Sequence, residues 1–212
     1  KQVDSTPRSG LSMLSLIVER RTAAELGEPI AIDPATDDLS FFPLIYWPVT
    51  GRHATPSKAA VLQLNEYLRS GGTILFDTRD HQTGREAETM RRLALVLDIP
   101  PVQPVPVNHV LTRSFYLMRE FPGRITGGRI WIERAGARIN DGVSSVVVGN
   151  HDWAAAWAVD GSQQPLFPVI PGGERQRELA FRFGINLVMY VLTGNYKSDQ
   201  VHAPAILERL GQ

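Results

Sequence analysis

The sequence predicts an α/β domain with a mainly parallel sheet and helices on both of its faces. Two observations carry that class. The apolar runs Phe42-Pro43-Leu44-Ile45-Tyr46-Trp47 and Thr73-Ile74-Leu75-Phe76 flank a segment of helical periodicity, the order of a parallel βαβ unit with a right-handed crossover. A third run, Ser145-Val146-Val147-Val148, reads as a strand buried on both faces, and helical patterns stand before, between and after these strands.

Each element has its own signal. Leu11, Leu14, Ile17 and Val18 recur at helical spacing after Ser9-Gly10 and predict a first helix over about 10–22. A polar stretch with Pro29, Pro34 and Asp37-Asp38 leads to the first strand, which Pro48 stops. Thr55-Pro56 predicts the next helix start, with the hydroxyl as cap and proline in the first turn. Ala60, Val61, Leu64, Tyr67 and Leu68 form its apolar face as far as Gly71-Gly72. A helix over about 85–97 buries Met90, Leu93, Ala94 and Leu97 and ends before Pro100-Pro101. Val102, Val105 and Val107 interleave with Pro104 and Pro106, which fits an edge strand or an extended connection and argues against a central strand. Arg129-Ile130-Trp131-Ile132-Glu133 alternates as a strand does. Residues 174–193, carrying Leu179, Phe183, Leu187, Tyr190 and Val191, make the clearest helix, closed by Gly194, and Ile206, Leu207 and Leu210 suggest a short terminal one. With no internal repeat or linker, residues 1–212 read as a single domain. Lys1 and the absence of a signal peptide lead us to expect a fragment that begins inside a longer chain.

Composition narrows the function classes. Twenty-two basic residues balance twenty-two acidic ones, so no global field draws the surface to nucleic acid or anionic lipid. The apolar windows are too interrupted to cross a bilayer, so the domain is expected to be soluble and not itself inserted. There is no cysteine, which excludes disulfides, cysteine-zinc sites and any thiol nucleophile. The five histidines show no two-ligand helix spacing, so neither a metal nor another cofactor is expected.

Polar residues gather after the strands, where loops and helix N-termini converge in open parallel sheets. Trp47 with Pro48 follows the first strand, Asp77-Thr78-Arg79-Asp80-His81 the second, and Asn150-His151-Asp152-Trp153 the valine-rich one. Trp47, Asp77, Arg79, Asp80, His81, His151, Asp152 and Trp153 are therefore the candidate ligand- or partner-binding residues. Asp77 and Asp80 would serve as a carboxylate pair or hard-metal ligands, with His81 or His151 as proton carrier or softer ligand. The alternative, which we weigh more heavily, is structural: an aspartate after a strand caps the next helix or pairs with a neighbour such as Arg79. Trp153 and Trp157, one helical turn apart, either wall a sugar or peptide site or pack their indoles against the sheet from a short alanine-rich helix.

The segments Phe42 to Pro48, Gly71 to Asp80, Asn150 to Trp157 and Thr193 to His202 resemble a bacterial domain-of-unknown-function family, number 4159, across nearly the whole chain. The resemblance implies a flavodoxin-like three-layer sandwich of the class I glutamine amidotransferase-like type. It also implies a position at the C-terminal end of large membrane-anchored bacterial proteins, the periplasmic side being favoured. Working amidotransferases of that fold place a cysteine on a glycine-flanked strand-to-helix elbow. Here the comparable turn is Phe76-Asp77-Thr78-Arg79-Asp80, with neither thiol nor serine, so glutaminase chemistry is excluded. The leading expectation is a non-catalytic domain binding a small polar ligand, other domains of its own chain or envelope proteins. Behind it stand a hydrolase acting on carbohydrate or peptide through Asp77 or Asp80 and His151, and a purely structural assembly domain.

Overall fold

The computed structural model describes residues 5–51, 54–78, 85–134 and 142–194. Its elements are helix α1 (Ser5–Arg21), strand β1 (Leu44–Pro48), helix α2 (Lys58–Arg69), β2 (Thr73–Asp77), α3 (Arg85–Val96), β3 (Val102–Pro104), β4 (Trp131–Glu133), β5 (Val146–Gly149), α4 (Trp153–Trp157) and α5 (Gly173–Thr193). The expected terminal helix at Ile206, Leu207 and Leu210 lies outside the described residues.

The five strands form one sheet in the order β1-β2-β5-β4-β3. β1, β2 and β5 are parallel, with Leu44 opposite Thr73 and Ile74 opposite Val146. β4 runs antiparallel to both β5 and β3. The sheet is therefore mixed: the expected parallel arrangement holds for β1, β2 and β5, and β4 departs from it. A parallel neighbour needs a crossover, usually helical, to carry the chain back along the sheet. The segment between β3 and β4 holds no regular element but a 3-10 turn at Val110–Thr112, and β4 returns antiparallel.

Side-chain alternation along the strands splits the core into two layers. Leu75, Val147 and Ile132 pack with residues of α1, α4 and α5, among them Leu14, Trp157 and Phe183. Ile45, Ile74, Phe76 and Val146 pack on the other face with Leu64, Tyr67 and Leu68 of α2 and Leu93 of α3. β2 is buried at every position, as its uninterrupted apolar run required.

Two helix starts differ from expectation. α2 is capped by Ser57, whose hydroxyl accepts from the Ala60 N–H at 3.2 Å, so Thr55-Pro56 stands before the helix. α1 begins at Ser5 and runs through Gly10, which is buried. A Cβ on Gly10 would lie 2.2 Å from the Ala154 carbonyl oxygen. Gly10 is thus the close-contact point between α1 and α4 rather than a helix breaker.

α5 anchors the irregular segment between β3 and β4. Asn186, fully buried, donates to the Leu111 and Tyr116 carbonyls and accepts from the Tyr116 N–H. Gln176 donates to the carbonyls of Gly123 (2.9 Å), Arg124 and Ile170 (3.0 Å each) and accepts from Gly172 N–H. These amides satisfy backbone groups that have no sheet or helix to join.

Candidate functional site

Because β1, β2 and β5 are parallel, the loops that follow them emerge at one edge. Asp77, the last residue of β2, lies opposite Pro48 and Gly149. It continues the alternation that points Leu75 toward α4, and its carboxylate is fully buried. One oxygen accepts from the backbone N–H groups of His151 (3.2 Å) and Asp152 (3.0 Å). The other accepts from the Trp153 N–H (2.7 Å) and the Tyr46 hydroxyl (2.8 Å).

This arrangement answers a local problem. α4 is preceded by the N-cap residue Asp152, whose backbone is left-handed (φ 51°, ψ 52°) and whose own side chain makes no capping bond. The first N–H groups of any helix lack intrahelical partners. Asp77 supplies the acceptor from the adjoining strand, and the positive end of the helix favours its negative charge. Capping by Asp77 is the structural alternative read from the sequence, although the helix capped is not the next one in the chain.

The other candidates take distinct places. His151 is buried; its ring stacks on Trp153 with centroids 4.5 Å apart, and Nδ1 accepts from the Asn150 N–H at 3.3 Å. Gly128 closes over the imidazole: a Cβ there would lie 2.8 Å from Cε1 and Nε2. Asp152 pairs with Arg124 at 3.4 Å, and that guanidinium also lies over the Phe167 ring. Trp153 is wholly buried between His151 and Phe183, and Trp157 donates its indole N–H to the Ala180 carbonyl at 2.9 Å. Both indoles are core, so neither walls an open site. Trp47 leans on Phe76 on the opposite face of the sheet, 5.5 Å between centroids, away from the Asp77 cluster. Arg79, Asp80 and His81 lie outside the described residues.

The structure thus brings Asp77, His151, Asp152 and Trp153 together at one edge and leaves Trp47 on another face. Sequence reasoning missed Tyr46, Arg124 and Gly128, which complete the cluster. Tyr46 had a usable signal, since alternation in β1 places it opposite in facing to Ile45 and Trp47. Arg124 and Gly128 come from an irregular segment with no periodicity to read. Among the described residues no group of three or more histidine, aspartate or glutamate side chains is arranged to hold a metal. None of the described helices is long and apolar enough to cross a membrane.

Fold and cluster together define a layered α/β domain whose sheet-edge carboxylate is committed to capping a neighbouring helix. The chain belongs to the family described as domain of unknown function (DUF4159), whose model matches residues 1–192. No curated protein matches it.

Proposed function

We propose that this chain is a non-catalytic ligand- or partner-binding domain of a bacterial membrane-anchored envelope protein, without glutaminase chemistry. The observation that carries the reading is the engagement of Asp77. A general base needs a lone pair aimed at a substrate proton, and this carboxylate spends its acceptor positions on three backbone N–H groups and one hydroxyl. The absence of cysteine from the sequence removes the nucleophile of the amidotransferase-like fold. The parallel core of β1, β2 and β5 between two helical layers supports a flavodoxin-like fold for the domain. As the sequence resemblance implies, we place it in a larger anchored protein, on the periplasmic side, next to other domains of that chain or envelope partners.

The test pairs activity with stability. The domain should release no ammonia from glutamine and hydrolyse no chromogenic glycoside or peptide above a heat-inactivated control. Asp77→Asn should lower its resistance to urea. Turnover that Asp77→Asn abolishes while the fold stays as stable as the parent would overturn the reading.

A further inference from the structure

The sheet edge holding the Asp77 cluster continues into a groove of about 400 Å³ between the end of β3 and segments 119–122 and 126–130. Topology puts it there. β4 is antiparallel to β5, so the residues preceding Trp131 lie beside the end of β5. β3 is antiparallel to β4, so Pro104 ends at the same edge. The Val105 N–H donates to the Ile130 carbonyl at 3.0 Å and ties the two walls together. Gly128 forms the partition, with the His151 ring on one side and the groove on the other.

We propose that this groove binds a small organic anion through its carboxylate or phosphate group, which rests on the non-catalytic binding reading above and names the ligand class. Arg119 and Arg129 both line it and are both exposed. Among the described residues neither makes an ion pair, so both guanidinium charges are left to the groove and solvent. Glu120 is the one acidic residue in the lining, and it bridges to neither arginine, so positive charge prevails. The backbone N–H groups of Thr126, Gly127 and Gly128 make no hydrogen bond to the described residues. Gly127 is exposed with open space where a side chain would stand, leaving bare backbone at the rim. Guanidinium forks and uncommitted N–H donors are the groups that recognise carboxylate and phosphate oxygens. Val105 and Phe121 add apolar wall, which favours an organic anion over a bare inorganic one. The volume lies at the small end of ligand pockets, which limits the occupant to a small molecule.

The experiment is a ¹H–¹⁵N correlation titration of the intact chain with benzoate, phenyl phosphate, inorganic phosphate and neutral benzyl alcohol, at ionic strength held constant with sodium chloride. Saturable shifts of the 126–129 amides with benzoate, phenyl phosphate or both are expected, stronger than with inorganic phosphate and absent with benzyl alcohol. Which of the two binds assigns the carboxylate or the phosphate ester. Arg129→Gln should weaken binding roughly tenfold, as loss of one charge-assisted hydrogen bond implies. Arg119→Gln with Arg129→Gln should abolish it, with the remaining spectrum reporting an intact fold. No saturable shift at 126–129 with either organic anion, equal shifts with benzyl alcohol, or shifts that survive the double substitution would each overturn the proposal. None of those results bears on turnover or on Asp77, so failure here is separable from failure of the non-catalytic reading.

Discussion

At the scale of single residues, Asp77 and His109 carry the sharpest consequences. Asparagine in place of Asp77 would keep the shape but turn an amide NH₂ toward backbone donors, leaving buried N–H groups without an acceptor. Asp77→Asn should therefore cost about 2–4 kcal/mol in urea unfolding, and Tyr46→Phe, which removes only the hydroxyl, about 1 kcal/mol. His109 caps the 3-10 turn at Val110–Thr112, its Nδ1 accepting from the Leu111 N–H at 3.2 Å, with its ring edge-on to Tyr190. Burial pushes the imidazole down from its ordinary 6.5 to about 4. Between those values the unfolded chain binds more protons than the folded one. The stability held above about 6.5 should thus drain away as pH falls toward about 4, by on the order of 3 kcal/mol. His109→Asn keeps a cap acceptor without a titrating ring, and should flatten that limb of the stability–pH curve. An unchanged acid limb would mean that His109 does not govern it.

At the scale of elements, the crossing of α1 and α4 depends on the missing side chain at Gly10. Because the facing atom is a backbone carbonyl, a methyl group there cannot be accommodated by turning a rotamer. Gly10→Ala should destabilise the domain by about 2–3 kcal/mol. Gly27→Ala, where nothing lies within 4 Å, should be nearly neutral in the same thermal melt. Equal effects from the two substitutions would mean that the helix crossing yields easily. The same element scale explains one error of sequence reading. A glycine after serine looks like punctuation, and only the approach of a helix more than a hundred residues away shows it to be a contact.

At the scale of the whole molecule, what was legible was local. Helices α2, α3 and α5 and strands β1, β2 and β5 follow from apolar runs and helical spacing contained within each segment. Their parallel pairing followed from the intervening helix. What could not be read depends on distant partners. The direction of β4 is set by the lack of a covering helix before it. The role of Asp77 is set by backbone groups up to 76 residues further on. Helix α5 looked like a simple amphipathic helix, yet Gln176 and Asn186 tie down the long irregular segment that bears the groove. Exposed arginines such as Arg119 and Arg129 carry no sequence signature of their own, because a surface cation becomes a site only through its neighbours.

The capping of α4 from β2 makes a dynamic unit of two elements far apart in the chain. A five-residue helix would ordinarily fray on its own, its first amide protons trading with solvent through small local openings. Here those protons are held by a side chain rooted in a fully buried strand, so they cannot be released unless the end of that strand gives way. Deuterium uptake at the amides of His151, Asp152 and Trp153 should therefore be as slow as at Leu75 and Phe76, and all five should accelerate together in mild urea. Uptake at the helix start far ahead of the strand would show that the two come apart independently.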